Sequence, residues 1–134
     1  MPVFESDSYD VVAAQSSVSS FLSVPENLIE ILPQDRIEDW KFTEDECSFK
    51  ITGLAHISLK LKTVDKDKIT YISNSEKPFP FSLNLHLGEK GDSTDFSADF
   101  DADVNAFLGT MLKAPLTNFL NHLSTSIQKK YAPV

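Results

Sequence analysis

Asp99, Asp101 and Asp103, followed by Asn105, offer oxygen ligands at alternate positions, which is how a calcium loop collects its first ligands. The match stops there. Such a loop takes glycine at its sixth position and glutamate at its twelfth, where this chain has Val104 and Thr110. Phe100 and the apolar helical pattern after it fit a strand end running into a helix cap. The histidines offer no metal site either. His56 and His86 fall on the polar phase of alternating segments, and His122 has no second histidine or carboxylate at ligand spacing beside it. Cys47 lies in phase with Phe49 and Ile51, as a small core residue would. Glycine-rich phosphate loop, nucleophile elbow and paired carboxylates are all missing from a chain with only four glycines. The expectation is no catalytic residue, no metal and no cofactor.

The other chemistry these residue types can do is apolar binding. Trp40, Phe42, Phe49 and Tyr71 lie on strand-like segments with a phase that turns them to one side, as do Phe81 and Phe100. Leu108, Met111 and Leu112 lie on the inward stripe of a helical segment. Aromatic rings and a thioether give large contact area with little directional demand, which suits an adaptable hydrophobic site. Taken singly, each has ordinary core packing as its commoner use. Trp40 and Tyr71 stand out, because a buried indole N–H or phenol needs a hydrogen-bond partner and can orient a ligand. The phase of Ile69 to Ser75 leaves Tyr71 facing either the interior or water. Only the phenols of Tyr71 and Tyr9 offer an inward acid or base, thin material for an enzyme.

Strands and helices must hold these residues. Ala55, Ile57, Leu59 and Leu61 alternate with His56, Ser58, Lys60 and Lys62, the signature of a strand with one dry face. Phe79 to Leu87 and Phe96 to Asp101 repeat the pattern, and shorter strands are expected at Ile37 to Thr43, Cys47 to Thr52 and Ile69 to Ser75. Alternation of this kind marks an antiparallel sheet solvated on one side. The connectors are short and polar, so neighbours in sequence pair as a meander, with a bulge or edge at Pro78 and Pro80. A further strand, Val3 to Val11, precedes two short helices. The first carries Ala14, Val18, Phe21 and Leu22; the second opens on a capping box from Ser23 to Glu26 with Pro25 in its first turn, and Pro33 stops it. Val104 to Lys130 reads as one long helix with a broad apolar stripe, Asp101 and Asp103 near its positive end and Lys129 and Lys130 at its negative end. Pro115 inside it predicts a kink.

The 134 residues, 41% apolar and 24% charged, make a single domain able to bury a core. Twenty acids against 12 bases give a net charge of −8, with Arg36 the only arginine. That balance repels nucleic acid and anionic bilayers. No apolar run approaches the roughly 20 residues of a membrane span, so no stable membrane insertion is expected. A lone cysteine forbids an intrachain disulfide, and Met1 to Asp10 carry no basic and apolar leader pattern, so a cytoplasmic protein is predicted.

At about 1.5 Å per residue the last helix is roughly 40 Å long, against a radius of gyration of about 14 Å for a chain of this size. It has to cross the molecule and cover the dry side of the sheet. A twisted, curled sheet cannot touch a single rod everywhere, which leaves room for an apolar pocket between them.

This order of strand, two short helices, six-stranded meander and long C-terminal helix resembles the helix-grip fold of the START-like (SRPBCC, Bet v 1-like) superfamily. Phe21 to Pro33 look like its helix-turn-helix, and Trp40, Phe42 and Cys47 to Leu61 resemble a short branch near the carbon monoxide dehydrogenase G group. The resemblance implies an α+β fold: a seven-stranded antiparallel curved sheet wrapped on the C-terminal helix, with two short helices between strands 1 and 2. It transfers no catalytic residue. Members of that superfamily bind lipids, sterols, polyketides or other hydrophobic ligands, and some are cyclases or hydratases; the resemblance implies that range and does not choose within it. The expected function is non-catalytic binding or carriage of a small hydrophobic or lipid-like ligand by a monomer or homodimer, with an assembly or maturation partner, or a cyclase or hydratase, as the alternatives.

Overall fold

A computed structural model of the chain describes residues 3–32, 35–52, 55–73 and 80–131. Its strands are β1 (Val3–Glu5), β2 (Tyr9–Val11), β3 (Ile37–Phe42), β4 (Glu46–Ile51), β5 (Ala55–Asp65), β6 (Lys68–Ser73), β7 (Phe81–Lys90) and β8 (Ser93–Ala102). They form one antiparallel sheet in the order β1-β8-β7-β6-β5-β4-β3, with β2 also on β8. Helix α1 (Gln15–Leu22) and a 3₁₀ turn (Pro25–Glu30) lie between β2 and β3, and α2 (Ala106–Lys130) ends the fold. The antiparallel sheet expected from the alternation is found, and so is the α+β, helix-grip arrangement that the resemblance implied. Pro33, Pro78 and Phe79, expected at a helix stop and a strand start, lie outside the described residues.

The alternation holds most cleanly in β7 and β8. Phe81, Leu83, Leu85 and Leu87 face Phe96, Ala98, Phe100 and Ala102 across the ladder, and all are buried. Gly91, at φ 73°, supplies the left-handed residue that this hairpin's tight turn requires.

Two strands depart from simple periodicity. The N-terminal strand is broken in two. Glu5 pairs with Asp99 but Tyr9 with Phe96, so the three residues between them on one strand oppose two on the other. The extra residue is a bulge, and its polar groups are used. Ser6 N–H donates to the Ala98 carbonyl at 2.9 Å, and the Ser6 hydroxyl accepts from the Ala98 N–H at 2.9 Å and from the buried Ser124 hydroxyl at 3.0 Å. Asp7 N–H donates to Asn121 Oδ1 at 3.0 Å. The break therefore docks α2 onto the sheet edge, and the count is eight strands instead of seven.

In β3, Glu38 opposes Lys50 while Lys41 opposes Ser48, again one extra residue, and Asp39 takes φ 55°. Without this bulge Ile37 and Phe42 would point to opposite faces; with it both share the face of Ile51 and Cys47. Placing a non-glycine residue in the left-handed region costs energy, which the shared apolar face offsets.

The capping box does not form. Ser23 has helical φ and ψ of −81° and −2° and closes α1, its hydroxyl donating back to the Ser20 carbonyl at 3.1 Å. Val24 stands at the N-terminus of the 3₁₀ turn without a side-chain cap, and Pro25 is in its first turn as expected. The two segments are too close for Ser23 to leave the first helix and begin the second. Asn27 Nδ2 bridges the junction by donating to the Phe21 carbonyl at 3.0 Å.

Helix α2 runs without interruption through Pro115 and is capped by Asn105, whose side chain accepts from the Leu108 N–H at 2.8 Å. Its two halves differ. Leu116, Phe119, Leu120, Leu123 and Ile127 are buried in the second half, which packs against β1, β2 and β8. In the first half Phe107 is 76% exposed and Met111 60%, with Leu108 and Leu112 half-buried. Pro115 stands at the change, where the carbonyl one turn earlier loses its N–H donor. At the far end Lys130 Nζ lies 3.0 Å from Glu30 and 4.5 Å from the centre of the Phe21 ring, tying α2 to the short helices.

Candidate ligand-binding site

A cavity of about 420 Å³ opens where the second half of α2 meets the end of β4. Pro115, Asn118, Phe119 and His122 line it from α2, one helical face at i, i+3, i+4 and i+7. Ile51 lines it from the end of β4 and Thr52 from the residue after it, with Asp35 and Arg36 from the approach to β3. Ile51 and Phe119 are buried and form the floor, while the other six are exposed and form the mouth. The Thr52 N–H donates to the Arg36 carbonyl at 2.7 Å, which fixes the backbone of one wall to the other.

Behind this floor runs a row of aromatic rings. Phe119 stacks on Phe49 at 6.2 Å between centroids and Phe49 on Trp40 at 6.1 Å, while Trp40 lies tilted against Phe42 at 6.1 Å. The β3 bulge puts Trp40 into the row. Trp40 and Phe49 are thus brought together as expected, whereas Phe42 has the right face but, on the edge strand β3, is 48% exposed.

The remaining residues singled out from sequence lie elsewhere. Tyr71 faces inward and is fully buried, its hydroxyl donating to the Leu22 carbonyl at 2.6 Å. Burial, and then the neighbouring Cys47, push its phenol well above the usual tyrosine range. Its hydrogen bond is spent within the protein. Phe81 and Phe100 are buried and stack on each other at 4.6 Å. Leu108 and Leu112 pack partly against the core. Met111 does not face the sheet: it is exposed, on the outward side of a half of α2 whose Leu108 and Leu112 pack partly against the core. None of the nine lines the 420 Å³ cavity; Phe119 and Ile51 do. Their signal was present in the apolar stripe and the β4 alternation, but periodicity marks a face without marking where along it a gap falls. Asn118 and His122 share the Pro115 side of the helix, and Arg36 precedes a strand, where no pattern signals a pocket.

The acidic run does structural work. Asp99 accepts from Asn84 Nδ2 at 2.7 Å and pairs with His86, and Asn84 in turn accepts from the Thr70 hydroxyl at 2.9 Å, a polar ladder across three strands. Asn105 caps α2. Among the described residues no group of three histidines, cysteines or carboxylates is placed to hold a metal, and no helix is long and apolar enough to cross a membrane. Tyr9, the other phenol considered, reaches Asn121 Oδ1 at 3.4 Å.

An antiparallel sheet gripping a C-terminal helix, with two short helices after the first strands, defines the START-like helix-grip fold, and this chain has it. The solved structures agree. A START superfamily protein from Mycobacterium smegmatis superposes with a TM-score of 0.75 at 15% identity, covering 96% of each chain. The protein XoxI from Bacillus cereus gives 0.72 at 14% identity, over 98% of this chain and 96% of that one. Truncated norcoclaurine synthase from Thalictrum flavum gives 0.71 at 17%, over 96% and 92%. No protein-family model matches the sequence, and no curated protein matches it.

Proposed function

We propose that this protein binds and carries a small hydrophobic or lipid-like ligand without changing it chemically, acting in the cytoplasm as a monomer or homodimer. The observation that carries this reading is the 420 Å³ cavity between sheet and α2, floored by Ile51 and Phe119 and backed by the Phe49–Trp40 stack. Its size falls within the roughly 300–1,000 Å³ of small-molecule sites. Affinity comes from removing apolar surface from water, on the order of 25 cal/mol per Å², less the cost of ordering the ligand. The phenols of Tyr71 and Tyr9 are both engaged with protein acceptors, which favours carriage over chemistry. Native mass spectrometry of the purified protein, with displacement of a lipophilic dye, tests the reading. Co-purified ligand or saturable displacement is expected; a protein that carries nothing and takes up no dye rules it out.

A second reading has its own observation. Phe107 and Met111 present apolar surface on the outward side of the first half of α2, which fits an assembly or maturation partner of the kind suggested by the resemblance to the carbon monoxide dehydrogenase G group. Loss of a co-purifying partner on replacing both residues with serine would favour it.

A further inference from the structure

We propose that the ligand of the 420 Å³ cavity is an amphiphile with a single carboxylate head, held at the mouth by Arg36 while its apolar body lies on Ile51 and Phe119; this rests on the carrier reading above.

The first argument is charge. Arg36 is the only arginine of a chain with 20 acids, and among the described residues its guanidinium makes no ion pair, although Asp35 lines the same mouth. In a protein of net charge −8 a cation left without a carboxylate partner, at the opening of an apolar cavity, has its N–H fork open to an incoming anion. Asn118 and His122, on the facing helix, add side chains able to hydrogen-bond the same head. The second argument is polarity from end to end. The mouth is polar and the floor apolar, so a wholly apolar molecule would leave the mouth groups facing hydrocarbon, and a wholly polar one would waste the floor. The third is charge number. Asp35 opposes a second negative charge, which favours a monoanionic carboxylate over a dianionic phosphate monoester. The volume limits the size. At about 30 Å³ for each water-sized group the cavity holds roughly 14 non-hydrogen atoms, the scale of a medium-chain fatty acid or a two-ring aromatic acid.

The test is isothermal calorimetry at pH 7.5 with decanoate and decan-1-ol, on the wild-type protein and on Arg36→Gln and Arg36→Lys. The Arg36 side chain is exposed, and the backbone bond of this residue does not depend on it, so the variants should fold normally. Decanoate is expected to bind about tenfold more tightly than decan-1-ol to the wild type, the effect of one charge-assisted contact at an exposed site. Arg36→Gln should bring the two ligands within about twofold of each other by weakening decanoate alone, and Arg36→Lys should restore part of the preference. Equal affinities in the wild type, or a preference that survives Arg36→Gln, overturn the head-group assignment and leave the carrier reading standing. Failure of both ligands to bind any of the three proteins overturns the carrier reading, and this inference with it.

Discussion

The Tyr71 hydroxyl, on β6, donates a 2.6 Å hydrogen bond to the carbonyl of Leu22, the last residue of α1. Both residues are fully buried, and a C-terminal helix carbonyl has no partner inside its own helix. One side chain thus closes the end of α1 and fixes the short helices to the middle of the sheet. Tyr71→Phe keeps the ring and removes the donor, leaving the carbonyl dry and unpaired. The expected cost is about 1–2 kcal/mol, seen as a lowered urea midpoint with an unchanged slope. An unaltered midpoint would mean that water replaces the phenol and that the bond contributes nothing to holding α1.

Cys47 makes folding sensitive to alkali. Burial pushes its thiol from an ordinary value of 9.0 up to about 12, and Tyr71 moves in the same direction. Above about pH 9 the unfolded chain gives up the thiol proton and the folded chain keeps it. The folded state then binds more protons, so stability falls as pH rises towards 12, with a limiting slope of about 1.4 kcal/mol per pH unit, and is unaffected below pH 8. Urea midpoints at pH 8, 9.5 and 10.5 should drop more steeply for the wild type than for Cys47→Ala. Parallel curves would show that the thiol does not titrate in this window. The same burial predicts that a thiol-specific reagent at pH 8 labels Cys47 only after urea is added.

How much of this was legible in the chain depends on whether each feature is periodic. The β7–β8 pair was legible because Phe81 to Leu87 and Phe96 to Phe100 alternate without a break. Trp40 was placed on the correct face only because the structure inserts a bulge at Asp39, a residue that carries no glycine or proline to announce it. Ser23 matched a capping pattern, yet tertiary closeness of α1 and the 3₁₀ turn gave it the opposite role. The cavity was expected between sheet and helix, but its lining residues were not found. Which of α2's apolar residues touch the sheet depends on where the N-terminal bulge docks Asn121 and Ser124, a contact between ends of the chain that no local window contains.

The two halves of α2 predict opposite mutational responses. Phe107→Ser with Met111→Ser removes exposed side chains from a helix whose other contacts are elsewhere, and the helix propensities concerned are similar, so the urea midpoint should stay within about 0.5 kcal/mol of wild type. Leu120→Ala, at a fully buried position on the packed half, should cost about 2–5 kcal/mol. A large loss from the double serine variant would show that Phe107 and Met111 themselves pack against the fold in solution, and would return Met111 to the interior.

Asn118 gives access to the cavity without disturbing its floor. It is exposed on α2, one residue before Phe119, and its side chain faces the mouth together with Pro115 and His122. An indole placed there extends towards Ile51 and Thr52 across the opening and covers the apolar surface a ligand would use. Asn118→Trp should therefore abolish uptake of decanoate, decan-1-ol and lipophilic dye alike. Because tryptophan is tolerated on a helix surface, stability should remain within about 0.5 kcal/mol of wild type. This separates it from a variant at Phe119, where losing the stack on Phe49 would lower stability and binding together. If Asn118→Trp folds with wild-type stability and still takes up ligand at wild-type affinity, binding happens elsewhere on the fold, and the space framed by Pro115, Phe119 and Ile51 is a surface recess with no part in carriage.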